Sequence, residues 1–334
     1  MKKNLIFNIA ALAFVFCFWA CEDDVEKASG FTTEQESVSV IIGNKAKINV
    51  VYDGSLDTRE IKWTSKNEDI ATVTDYGVIF AVEEGKTEIE ATWNGNTKTV
   101  PVTVIDPVVL PPRKASWLFE DPGNLFKADV GQALVPGTGV PAVFGGTAGF
   151  SATAGPSADN SAIHVIRGNF LKAIHGFAPN GGGAKVNEWT IFYYLKCSPE
   201  YKDNNYKSLL KTKTEDNTRD ADFFMRKDYI GGGSLPGSPA GSVTPDVWNR
   251  LVVSIKNGQF CNVCLNGVLI SQTASNYRSI DDERSSLLPS CLIFADEDGE
   301  DVAWDVAEIA MWDTALDEQQ VKKLERLLGK GIRP

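Results

Sequence analysis

The sequence predicts an all-β protein: two β-sandwiches in series, closed by one short C-terminal helix. Three observations predict it. Short apolar alternations recur along most of the chain, each bounded by Gly, Asn or Asp turn signals. A proline-rich break at 106–114 separates two such regions. Only Asp317 to Leu328 has helical spacing, with Val321, Leu324, Leu327 and Leu328 able to share one face. At 334 residues, the length suits about two domains.

Residues 1–20, MKKNLIFNIAALAFVFCFWA, have a basic start and a short apolar run, the pattern of a secretory signal. Ala20-Cys21 closes the run, and Glu22, Asp23 and Asp24 follow at once. The small residue before a cysteine resembles the lipobox of bacterial lipoproteins, although Phe18 and Trp19 are bulkier than that pattern usually holds. The acidic run resembles the surface-export signal of Bacteroidetes lipoproteins. These resemblances imply lipid on Cys21, an outer-membrane address facing the cell exterior, and a tether over 21–33. The plainer alternatives are a signal-anchor helix or a soluble secreted protein. No second apolar run reaches the ~18 residues a membrane-spanning helix needs.

Net charge is −11, and loss of Lys2 and Lys3 with the signal brings the mature chain near −13. That argues against nucleic acid as a partner, because phosphates need compensating Lys and Arg. Four cysteines remain beyond Cys17 and Cys21: Cys197, Cys261, Cys264 and Cys291. Cys261-Asn-Val-Cys264 has CxxC spacing but lies in a strand-like run. Residues three apart on a strand face opposite ways, which suits neither a zinc knuckle nor a redox helix. Small buried apolar residues are expected, with one disulfide among the four as the alternative in an oxidising compartment.

Within 34–105, Val38, Val40 and Ile42 alternate, as do Ile48, Val50 and Tyr52. Ile61 and Trp63, Ala71 and Val73, then Val78, Phe80 and Val82, and last Ile89, Ala91 and Trp93 continue the pattern across turns at Asn67 to Asp69, Asp75 to Gly77 and Gly85. The W-T-S-x-N-x-x-I-A-T-V run beginning at Trp63, followed by G-V-I-x-A-x-x-x-G-x-T-x-I from Gly77, resembles a group 2 bacterial Ig-like domain. The resemblance implies a sandwich with Trp63 as core anchor, serving as a spacer in a surface protein. Pro107, Pro111 and Pro112 then favour an extended, semi-rigid linker over 106–114.

From Ala115, Ser116 to Glu120 opens a second β-rich region reaching 334. Residues 131–160, rich in Gly, Ala, Ser and Pro, are expected to be long irregular connections. Trp189 to Lys196 is a strong strand with Trp189, Ile191, Tyr193 and Leu195 on one face and Thr190, Phe192 and Tyr194 on the other. Ser208 to Lys213 and Asp222 to Arg226 are weaker strands. Val247 to Ile255 and Phe260 to Leu265 pair about Asn257-Gly258, and Asn266-Gly267 turns into Val268 to Ile270. An apolar strand from Pro289, an acidic loop and a strand toward Leu316 read as a closing hairpin. Asp313 or Thr314 is expected to start the helix, with Gln320, Lys322 and Lys323 exposed. The WxFE opening, EWTIFYYLK, WNRLVVSIKNGQFCNVCLNG and FADEDGEDVAWDVAEIAMWDTALDEQQV resemble a concanavalin A-like, laminin-G-type jelly-roll over about 115–330. That resemblance implies fold strongly and function weakly, since one fold hosts many activities.

Four constellations bear on chemistry. Asp296, Asp298, Glu300 and Asp301 surround Gly299 in an oxygen-rich loop of the kind that holds Ca²⁺, but six to eight ligands are needed and the full EF-hand pattern is missing. A solvated acidic turn is the preferred reading, with Ca²⁺ on Asp296, Asp298 and Glu300 as the alternative. Some jelly-roll glycosidases carry E-x-D-x-x-E on a concave strand; here Asp305 and Glu308 are present but Ala303 replaces the nucleophile. Hydrogen bonding at a sheet edge is the plainer role for both, and the chain is expected not to be an enzyme. His164 and His175 stand apart in sequence, without a G-x-S-x-G elbow, and read as structural. Neither Gly181 to Gly183 nor Gly231 to Gly233 is a phosphate loop, since no Lys-Ser/Thr follows.

Aromatic platforms remain. Sugars offer apolar ring faces and hydroxyls, and binding sites answer with an aromatic and nearby polar groups. Phe192, Tyr194, Arg226 and Tyr229 are the ligand-binding candidates, with Tyr201 and Tyr206 beside them. The expected function is non-catalytic binding of an extracellular glycan by the second domain. The alternatives are an adhesin for a host or matrix protein, and a hydrolase or lyase with an unfamiliar carboxylate pair.

Overall fold

The computed structural model describes residues 30–199, 206–226, 229–231, 244–273 and 276–334. The signal segment, Cys21 and Tyr201 lie outside the described residues, as does the side chain of Tyr229. The chain divides into two compact units, one ending at Pro107 and the other beginning at Val108. The protein is nearly all β, with an Ig-like N-terminal domain and one short C-terminal helix.

In the first unit a four-stranded sheet runs in the order Val38–Ile41, Asn96–Ile105, Gly85–Trp93, Lys62–Ser65. It faces a three-stranded sheet of Lys45–Lys47, Val78–Ala81 and Ala71–Val73. Val38, Val40, Ile89 and Val100 from one sheet meet Ile79, Ala81 and Ala71 from the other. In the Val78–Ala81 strand the inward residues are Ile79 and Ala81; Phe80 lies under the Lys45 ammonium instead. Every residue from Val78 to Val82 is apolar, so alternation alone does not say which set faces inward. Gly77 has φ +74°, and a Cβ there would meet Trp63 at 2.7 Å. Trp63 is partly buried against the core, so this turn has room for glycine alone.

The second unit is a sandwich of an eight-stranded and a seven-stranded sheet. The larger runs Phe150–Ala154, Ser161–Val165, Trp304–Trp312, Glu188–Cys197, Asn249–Lys256, Phe260–Leu265, Val268–Thr273, with Ala115–Trp117 pairing beside Trp304–Trp312. As the alternation predicts, Trp189, Ile191, Tyr193 and Leu195 enter the core between the sheets. Leu171, Leu209, Phe223, Met225 and Ile293 meet them from the smaller sheet.

The outer face of the larger sheet is also covered. Phe192, Val252, Cys264, Ala310 and Trp312 form a second cluster under Leu316, Val321 and Leu324 of the C-terminal segment. The helix Glu318–Gly329 is capped by Asp317 in a reciprocal capping box with Gln320, not by Asp313 or Thr314. The Thr314 carbonyl instead accepts from the Thr190 hydroxyl at 2.8 Å. Gln320 and Lys323 are drawn in to hold a strap, donating to the carbonyls of Val109 at 2.9 Å and Val108 at 2.7 Å. Leu110 packs against the same cluster, and the Trp312 indole donates to Pro111 O at 3.0 Å. Residues 108–113 thus belong to the second domain, as an extended brace across the helix.

Three expectations are corrected. The region 131–160 contains the strands Val135–Thr138, Val143–Phe144 and Phe150–Ala154. Their small residues hide them: a Cβ on Gly137 would lie 2.4 Å from the Phe170 ring, so close packing selects a residue of low strand propensity. The acidic loop does not close a hairpin. Cys291–Ile293 lies in the smaller sheet and Trp304–Trp312 in the larger, so the loop arches from one layer to the other. Asp305 and Glu308 do not sit at a sheet edge, because their strand is paired on both sides.

Cys261 faces the inner core and Cys264 the outer cluster, as strand geometry requires. All four described cysteines are free and buried. Burial pushes the thiols of Cys197, Cys264 and Cys291 up to about 12, away from the reactive thiolate. Ellman's reagent should therefore leave these four thiols unmodified in the native protein and react with all of them after denaturation. Rapid labelling of the native state would show a core that opens.

Candidate functional site

One rung of the larger sheet supplies the site. Tyr194 in Glu188–Cys197 is in register with Glu308 on one side and Arg250 on the other. Beyond this rung the register shifts, with the irregularity between Tyr194 and Leu195. On a regular strand Asp305 and Glu308, three apart, would face opposite ways. The bulge around Ala307 keeps both on the outer face, while Val306 and Ile309 both enter the core. The next rung is His164, Asp305 and Lys196.

The helix and its cluster cover this face as far as Phe192. Past Phe192 the cover ends and a cavity of about 350 Å³ opens. Glu120, Asn160, Tyr194, Arg250, Glu308 and Arg333 line it, with Phe192 at its floor and Gly329 and Gly331 on the C-terminal side. This volume lies at the lower end of the range typical of small-ligand sites.

Every charge on the wall is paired. Glu308 is 4% exposed and accepts from Arg113 Nη1 at 2.6 Å and Arg333 Nε at 3.3 Å. Arg113 comes from the strap and is itself 7% exposed. Arg333 also reaches Glu120 at 2.9 Å, and Asn160 Nδ2 donates to the same Glu120 oxygen at 3.1 Å. Arg250 lies 5.7 Å from the Tyr194 ring centre, and its Nε bonds Glu325 at 2.6 Å. Tyr194 meets Trp248 edge-on, with ring centres 5.5 Å apart. Aromatic faces beside fixed donors and acceptors can hold a polyhydroxylated ring: the face takes the C–H side and the charged pairs take the hydroxyls.

The four proposed ligand residues separate. Phe192 is 0% exposed and cannot be a platform, because the helix and Trp312 cover its side of the sheet. Tyr194 lines the cavity. Arg226 and the backbone of Tyr229 belong to the other sheet, on Phe223–Arg226 and Tyr229–Gly231, where Arg226 stacks on Tyr206 at 5.2 Å. Sequence reasoning missed Arg250, although the pairing of its strand with Glu188–Cys197 sets it opposite Tyr194. It also missed Arg113, Glu120, Asn160 and Arg333, which are brought in from three separate parts of the chain and carry no local signal.

The histidines are placed differently from each other. His175 is buried, with Nε2 2.7 Å from Leu288 O and the Phe177 amide donating to Nδ1 at 3.0 Å; burial lowers its pKa. His164 is not isolated: its Nδ1 lies 2.6 Å from Asp305, whose other oxygen meets Lys196 at 3.1 Å.

In the acidic loop, ligand oxygens of Asp296, Asp298 and Glu300 lie within 4.8 Å of one another. Asp296 Oδ2 accepts from the backbone N–H groups of Asp298, Gly299 and Glu300, which makes it the cap of the turn. Three carboxylates are about half the oxygens Ca²⁺ takes. Burial, then the like charges of Asp298, Asp296, Asp220 and Glu297, pushes Glu300 up to about 7.

A family model for the group 2 bacterial Ig-like domain matches residues 27–104. The chain is similar to domain 4 of AbnA, a GH43 extracellular arabinanase from Geobacillus stearothermophilus, in complex with arabinotriose: TM-score 0.44, 15% identity, 64% of this chain and 98% of the other. It is also similar to the binding domain of botulinum neurotoxin DC in complex with rat synaptotagmin II: TM-score 0.43, 9% identity, 65% of this chain and 52% of the other. Domains 4 and 5 of the S-layer protein SbsC align at TM-score 0.21 and 26% identity, over 24% of this chain and 53% of the other. At these scores the likenesses assign no function. Among proteins with curated descriptions, none matches the chain.

Two outcomes test the site's electrostatics. Arg113→Met leaves Glu308 buried with one distant partner, and should cost about 3 kcal/mol in urea denaturation. The double variant Arg113→Met/Glu308→Leu should recover much of that loss. For Glu300, the folded pKa exceeds the ordinary 4.5, so the folded state binds more protons between those values. Its contribution to stability is full below about 4.5 and fades as pH rises through about 7. Thermal unfolding of Glu300→Gln should lack that decline; an unchanged pH profile would show that Glu300 titrates normally.

Proposed function

We propose that the chain is a non-catalytic glycan-binding protein of a bacterial surface. The second sandwich binds, and the Ig-like domain serves as its spacer. The observation that carries the reading is the cavity beyond Phe192, where the Tyr194 ring stands beside fixed guanidinium and carboxylate groups on a rigid sheet. Sites on strands hold such groups in place better than sites on loops. The laminin-G-type resemblance of the second domain supports the same reading.

Support for a binding role without turnover comes from the charge pairing. Glu308 is held between two arginines, and Asp305 between His164 and Lys196. Both carboxylates are thus committed to structural ion pairs. We extend the proposal to the cell address: lipid on Cys21 anchors the chain in the outer membrane with its domains facing outward. Glycan affinity per site is weak in such an arrangement, and neighbouring copies on one surface add avidity.

Electrophoresis of the purified mature chain through gels containing single polysaccharides tests the reading. Retardation by at least one polysaccharide is expected, without new reducing ends or unsaturated products. Tyr194→Ala should restore free migration while keeping a cooperative thermal unfolding transition, at a somewhat lower midpoint. Product release would make the protein an enzyme, and retention unaffected by Tyr194→Ala would move the site elsewhere.

A further inference from the structure

The charges around the cavity cancel. Arg250 and Arg333 face Glu120 and Glu308 on the wall, and the residues behind them, Arg113 and Glu325, are again one of each sign. Each guanidinium and each carboxylate already has an ion-pair partner of opposite sign, at 2.6–3.3 Å. An anionic ligand would find no cation that lacks a carboxylate partner, and seating it would bury a charge beside Glu308 at a cost of several kcal/mol. A cationic ligand meets the same obstacle in reverse. A hydroxyl differs from both, because it donates and accepts at once. It can bridge an arginine N–H and a glutamate oxygen without separating them. The formal charge of −11 adds a second, independent argument, since the chain's field repels polyanions before contact.

Resting on the glycan-binding reading above, we propose that the Tyr194 cavity takes an uncharged saccharide and excludes glycans bearing carboxylate or sulfate on the bound unit. The apolar face of one sugar ring lies against Tyr194. Its hydroxyls span the Arg333–Glu308 and Arg333–Glu120 pairs on one side and Arg250 on the other. Uronic-acid polymers and sulfated matrix polysaccharides are rejected by the same pairs that hold the neutral ring.

Calorimetric titration of the mature chain with two sets of length-matched oligosaccharides tests this. One set is uncharged: gluco-, manno-, xylo- and arabino-oligosaccharides. The other is anionic: galacturonate, alginate, hyaluronan and heparan oligosaccharides. Binding is expected only within the uncharged set, with an affinity that barely changes between low and high salt. An anionic oligosaccharide bound as tightly, and released by salt, would overturn the proposal while leaving the glycan-binding reading intact. Binding by neither set would overturn both. A gain-of-function variant separates exclusion by charge pairing from exclusion by shape. Glu120 is 40% exposed, so Glu120→Gln keeps the fold and frees one side of Arg333. It should bring galacturonate oligosaccharides, unbound by the parent chain, into the range of measurable binding. No gain would overturn the proposal.

Discussion

From Trp189 to Tyr193 the Glu188–Cys197 strand is dry on both faces, and the second domain is arranged to keep it so. Trp189, Ile191, Tyr193 and Leu195 need the opposing sheet, and Phe192 needs the helix. Each buried ring or aliphatic side chain contributes roughly 1.5–3 kcal/mol. The helix in turn needs a cap, supplied by Asp317 with Gln320, and a partner for its outer flank, supplied by the strap. The cavity begins where this covering ends, one rung beyond Phe192. Its place is thus a boundary effect of core packing, and Tyr194 sits at the edge of the dry region.

Charge follows from that position. At the margin of a buried cluster, an unpaired carboxylate is costly, and Glu308 is satisfied only because Arg113 and Arg333 reach it from distant parts of the chain. The bulge matters as much as the pairing. Were Ala307 paired as in a regular strand instead of bulged, either Asp305 or Glu308 would point into the core among Val306 and Ile309. Irregularity in one strand therefore lets two carboxylates share a face three residues apart.

Much of the architecture was legible in the sequence for one reason: strands with one buried face announce themselves by period two. Trp189 to Leu195, and the Asn257-Gly258 and Asn266-Gly267 turns, are of this kind. The Cys261 and Cys264 faces followed from the same arithmetic. Where both faces are apolar, as from Val78 to Val82, the period is silent about direction. Where close packing selects small residues, as at Gly137 against Phe170, a strand looks like a loop. The hairpin expected around the acidic loop failed because sequence adjacency does not reveal a change of sheet. The candidate site was the least legible part. Tyr194 was readable as an outward aromatic, but the burial of Phe192 depended on a helix more than 120 residues away. Arg113 and Arg333 reach Glu308 only through the folded chain.

A protein held at one end and bound to a fixed polymer at the other carries tension along its chain. Such a pull enters the second domain at Val108, the outermost strap residue. The Lys323 and Gln320 bonds take the load first, then Leu110 and the Trp312 bond at Pro111, and Arg113 last. Bonds loaded in sequence yield one after another, like a peeled tape. The final one is the Arg113 ion pair with Glu308, so a load entering at Val108 would reach the wall of the cavity itself.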